Sequence, residues 1–82
     1  MTAIAPAYPI LCATIEGIIT ERGHTPPGLA PETPILEAGL DSLDVAMLIV
    51  RMEEQMGFDP FASGTLTEFP QTLGALASLY GN

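Results

Sequence analysis

At 82 residues the chain is one domain that can bury roughly 60–65% of its unfolded surface, which allows a small core but no deep, multi-walled active site. Ten carboxylates against two arginines, with no lysine, give a formal charge of −8. That balance excludes binding nucleic acid through its phosphates or resting on an anionic membrane, and it favours partners with basic patches. A single cysteine, Cys12, excludes an internal disulfide and any multi-cysteine metal site.

Met1 to Ala7 reads as a short lead-in. It has no charged n-region, and Pro6 and Pro9 break the early apolar run, so it does not read as a secretory signal. No apolar stretch approaches the roughly 20 residues that span a bilayer, and a cytoplasmic protein is expected. Pro9 suits the first turn of a helix. Tyr8, Leu11, Cys12, Ile15, Ile18 and Ile19 keep helical spacing to about Arg22, and Gly23 ends it. Ile15, Ile18 and Ile19 are the expected core contributors, with Cys12 as a small buried apolar residue beside them.

His24 to Leu40 is a long connection carrying Pro26, Pro27, Gly28, Pro31 and Pro34. Such a loop in a compact domain has a job or lies pinned across the surface. Leu29, Ile35, Leu36 and Leu40 are spaced to pin it onto the helices. The lone His24 is assigned no role.

Gly39-Leu40-Asp41-Ser42-Leu43-Asp44 then runs without a break into a helix that Gly57 can stop. Either Asp41 or Ser42 can cap it. Val45, Leu48, Ile49, Met52 and Met56 have the spacing of a core-facing side. Leu43, Ala46, Met47 and Val50 make a second apolar stripe that begins beside Ser42. A helix packed on one side does not need that stripe: either it is buried more widely, or it shows apolar surface to a partner. Asp41, Asp44, Glu53 and Glu54 surround it.

Asp59-Pro60-Phe61 reads as a turn and Ala62 to Glu68 as one short helix, with Phe58, Phe61, Leu66 and Phe69 as core and lid residues. After Pro70, Thr72 caps a last helix whose stripe is Leu73, Leu76, Ala77 and Tyr80. The expected fold is all-α. It is a small four-helix bundle, three helices substantial and one short, with the long loop between the first and second.

Catalysis fits this sequence poorly. A nucleophilic Ser42 needs an oriented base, only His24 is on offer, and no Gly-x-Ser-x-Gly elbow is present. Asp41, Asp44 and Glu37 attract a cation weakly, without an EF-hand loop or a His/Cys cluster. No catalytic residue and no metal site are expected.

Gly39 to Asp44 opening such a helix resembles the attachment site of acyl carrier proteins, whose serine carries 4′-phosphopantetheine. The resemblance covers nearly the whole chain, and Pro34 to Leu40 resembles the family's approach to its serine. It implies an arm on Ser42, taken from coenzyme A by a phosphopantetheinyl transferase, with Asp41 beside it at the cofactor site. A phosphodiester there would meet the positive end of a helix. The resemblance also makes Leu43, Ala46, Met47 and Val50 the partner-binding stripe, with Asp44, Glu53 and Glu54 as its charged complement. The partners implied are an acyl- or aminoacyl-loading ligase and acyl-transferring enzymes with basic docking patches.

The chain departs from fatty-acid-synthesis carriers in having Met47 where they bear an acidic residue, and in a third segment whose only acid is Glu68. A specialised carrier, loaded with an amino acid or another small acyl group, is therefore expected, freestanding and monomeric. The alternative is an unmodified helical interaction module that uses the exposed stripe as a groove or groove-filler.

Overall fold

The computed structural model describes residues 6–62 and 69–81. In chain order they form α1 (Tyr8–Glu21), a 3-10 turn (Ile35–Glu37), α2 (Ser42–Met56) and α3 (Leu73–Ser78). The described residues contain no strand, only a lone antiparallel bridge between Pro34 and Thr72, so the fold is all-helical as expected. Beyond Ala62, the short helix expected up to Glu68 lies outside the described residues. No described helix is long and apolar enough to cross a membrane.

Local chemistry sets the limits of each helix. Pro9 sits in the first turn of α1, where its missing N–H leaves no bond unmade. At the other end Gly23 takes a φ of 82°. The His24 N–H then donates to the Ile19 carbonyl at 3.1 Å and the Gly23 N–H to that of Thr20 at 2.9 Å, the paired closure that glycine permits. Gly57 closes α2 in the same left-handed region, its N–H reaching the Glu53 carbonyl at 2.8 Å.

α1 packs against both α2 and α3. The core joins Leu11, Ile15, Ile18 and Ile19 of α1 to Leu48 and Met52 of α2 and to Leu73, Leu76 and Ala77 of α3. Cys12 is only partly buried. Tyr80 lies just past α3 and is buried, with the Phe58 ring centroid 5.9 Å from its own. Phe58 and Phe69 are lid residues more than core, each close to half exposed.

The connection from α1 to α2 is pinned differently from the expectation. Ile35 and Leu40 are buried, but Leu36 is 83% exposed. One turn of 3-10 helix turns neighbouring side chains to different sides, so Ile35 goes in and Leu36 goes out. Backbone bonds to the start of α3 do much of the pinning. The Ile35 N–H donates to the Gln71 carbonyl at 2.9 Å, that of Leu73 to Thr33 at 3.0 Å and that of Gly74 to Pro31 at 2.7 Å. Gly74 is what allows so close an approach, because a Cβ there would lie 3.0 Å from the Pro31 oxygen.

Thr72 caps α3, its hydroxyl oxygen accepting the Ala75 N–H at 3.2 Å. Thr72→Ala is expected to cost about 1 kcal/mol, which thermal unfolding would register as a Tm lower by about 4–8 °C.

Candidate functional site

The approach to Ser42 turns at Gly39, whose φ is 91°. A Cβ there would sit 3.3 Å from Ile19 Cδ1 and 3.5 Å from Pro27 Cδ, so glycine serves both the backbone turn and the tight fit on α1. Leu40 then anchors the chain in the core, and Asp41 is extended, with φ −94° and ψ −177°.

Of the two candidate caps, Asp41 holds the position. Its Oδ1 accepts the Asp44 N–H at 2.8 Å, while Asp44 Oδ2 accepts the Asp41 N–H at 3.2 Å. This reciprocal capping box satisfies two backbone donors. Ser42 is left as the first helical residue, exposed and free of the capping duty.

A third member closes the arrangement. Arg22, the C-cap of α1, donates through Nη1 to Asp44 Oδ1 at 2.6 Å and to Asp41 Oδ2 at 3.0 Å. The Asp44 N–H, with help from the Arg22 guanidinium, holds the Asp41 carboxyl below its ordinary range. Arg22 is pushed above its ordinary value by the same pairing, mainly through Asp44.

Asp44 itself corrects an expectation. It was expected on the acidic rim, yet it is 2% exposed. As the third residue of the helix it turns back to the cap and to Arg22, so the rim reduces to Asp41, Glu53 and Glu54, all exposed.

The second apolar stripe lies outside the core except at Met47, which packs partly against it. Leu43 is 65% exposed and Val50 54%, Ala46 is also exposed, and Met47 is half-buried. Leu48 and Met52 are fully enclosed, and Val45, Ile49 and Met56 pack on the core while remaining partly open. Ala46, Met47, Val50, Arg51 and Glu54 line a shallow groove of about 350 Å³. Sequence reasoning missed Arg51, although it stands four residues after Met47 on the same side of the helix. Arg51 forks onto Glu21 of α1, Nη1 to Oε2 at 3.0 Å and Nη2 to Oε1 at 2.9 Å, which lowers the Glu21 carboxyl.

A second hollow, of about 250 Å³, opens beside Ser42. Ile35, Leu36, Val45, Phe69, Pro70 and Gln71 line it with the serine, and Phe69 stacks on Phe61 with centroids 5.4 Å apart. The sequence signal for it was weak: two apolar loop residues, Leu36 and Phe69, without a period. Among the described residues no three His, Cys, Asp or Glu side chains gather as a metal site.

An exposed serine at the positive end of a 15-residue helix, beside an apolar hollow, suits a covalently held anionic arm. A family model described as a phosphopantetheine attachment site matches residues 11–79. Among solved structures, the chain is similar to MacpD, an acyl carrier protein from Pseudomonas fluorescens involved in mupirocin biosynthesis. The two are 27% identical with a TM-score of 0.80, over 90% of this chain and 67% of that one. No curated protein matches the chain.

Proposed function

The chain belongs to the phosphopantetheine-bearing acyl carrier family, and from that premise we propose that Ser42 bears its arm and presents an acyl or aminoacyl thioester to partner enzymes. The observation that carries this reading is the release of Ser42 from capping: Asp41 holds the cap position, and Ser42 is an exposed first-turn residue. The arm supplies a long tether ending in a thiol. Ser42 would supply the anchor, Asp41 holds the turn beneath it, and the hollow lined by Ile35 and Phe69 opens beside the serine. Tethering raises the concentration of cargo at each docked enzyme to about millimolar, so the carrier contributes reach while its partners contribute catalysis.

The exposed stripe of Leu43, Ala46, Met47 and Val50, with Glu53 and Glu54 beside it, is the docking surface in this reading. It is more apolar than a housekeeping fatty-acid carrier would present. Specialised biosynthesis is the better setting, and the likeness to MacpD favours it too.

The test incubates the protein with coenzyme A and a broad-specificity phosphopantetheinyl transferase, then fragments it for tandem mass spectrometry. One arm is expected, on the peptide containing Ser42. An arm on any other residue, or none, overturns the assignment. Weighing the thioester-bound group on protein from its native cell identifies the cargo.

Docking has its own prediction. Leu43→Asp or Val50→Asp places a carboxylate in the exposed stripe and is expected to slow loading by the cognate ligase at least about tenfold. Circular dichroism should show the fold unchanged, because neither side chain belongs to the core.

A further inference from the structure

Capping α2 requires only the two aspartates, yet the structure adds a third party. Asp41 and Asp44 bracket Ser42 and Leu43, and each spends one oxygen on the other's backbone N–H. The two oxygens left over, Asp41 Oδ2 and Asp44 Oδ1, converge on the single nitrogen Nη1 of Arg22. Arg22 ends α1, so this nitrogen ties the turn that presents Ser42 to the central helix of the fold. Asp44 is enclosed, and a buried carboxylate stripped of its cation is driven toward water, taking the turn with it. The same two carboxylates flank a hydroxyl that receives its group from a polyanionic donor, and Arg22 is the cation that offsets them.

We infer that Arg22 is a positioning residue for the modification of Ser42, locking the Asp41–Asp44 turn onto α1 and offsetting its charge so that the hydroxyl meets the donor in one orientation. The inference rests on Ser42 being the attachment residue. In that step the Ser42 oxygen bonds to the pantetheine-bearing phosphorus of coenzyme A. The bond from that phosphorus to adenosine 3′,5′-bisphosphate breaks, and the hydroxyl proton passes to a base of the transferase. Orientation governs such a displacement, because a misplacement of about 1 Å can cost up to about a hundredfold.

The experiment compares wild type, Arg22→Gln and Arg22→Lys as substrates of one transferase with coenzyme A. Carrier concentration is varied at a temperature where circular dichroism shows each protein folded. Arg22→Gln is expected to lower kcat about tenfold with KM within about twofold, because the stripe on α2 is untouched. Arg22→Lys keeps the cation on a shorter reach and should fall between, about threefold below wild type. A folded Arg22→Gln protein with wild-type kcat overturns the inference, since a purely structural role moves only Tm. A rise in KM alone also overturns it, by making Arg22 a docking residue. Should Arg22→Gln not fold, Arg22→Lys decides: a reduced kcat supports the inference and a wild-type kcat overturns it. Failure of wild type to gain its arm on Ser42 would strike the attachment assignment instead.

Discussion

Ser42→Ala is expected to gain no mass when incubated with coenzyme A and a phosphopantetheinyl transferase, under conditions where wild type gains one arm. The loss should be complete, because no other described hydroxyl stands in the same setting. Thr72 caps α3 with its oxygen committed to the Ala75 N–H, and Ser78 donates to the Gly74 carbonyl. Stability is expected to stay level. Had Ser42 been the cap, its replacement would cost about 1 kcal/mol and lower Tm by about 4–8 °C. Because Asp41 is the cap and Ser42 an exposed first-turn residue, alanine should leave Tm within about 2 °C of wild type. The two readouts separate the two readings of the chain. An unmodified interaction module would show no arm on wild type either, and would bind its partner equally well with or without the serine hydroxyl.

Much of this site was legible because its signals are local. Pro9, Gly23, Gly57 and Thr72 each act within a few residues, and they set helix limits close to those observed. The two stripes of α2 follow from periodicity alone, and Leu48 and Met52 went inside while Leu43 and Val50 stayed out. What escaped depends on residues far apart in the chain. From sequence Asp44 reads as a rim residue, because an acid on a helix is usually solvated, and its burial depends on Arg22 at the end of another helix. The cap was ambiguous between Asp41 and Ser42 until the reciprocal bond from Asp44 decided it, although the three-residue spacing was already in the sequence. Leu36 and Ile35 are adjacent loop residues, where no period says which faces in. Gly74 makes sense only once Pro31 is seen to press against it. The expected helix after Ala62 lies outside the described residues.

Leu48→Ala is expected to be the most damaging of the conservative changes, and it separates folding from function on one helix. Leu48 is fully enclosed where α2 joins the core of α1 and α3. Truncating a buried leucine costs about 2–5 kcal/mol, through lost transfer energy and the cavity left behind. Against a total stability of about 4–12 kcal/mol for a domain of this size, that is a large fraction. A cost of about 3 kcal/mol corresponds to a Tm lower by about 12–24 °C. Val50, two residues on, points about 200° away around the helix and is 54% exposed. Val50→Ala should change stability by no more than about 0.5 kcal/mol, leaving Tm within about 4 °C. Their effects on function should run the other way. Kept cold enough to stay folded, the Leu48→Ala protein should still take up its arm at close to the wild-type rate, because Asp41, Asp44 and Arg22 build the turn under Ser42 without help from that leucine. The Val50→Ala protein, nearly as stable as wild type, should be the poorer substrate for a docking partner. If both variants lost modification in proportion to their loss of stability, the separation of α2 into a core side and a docking side would fail.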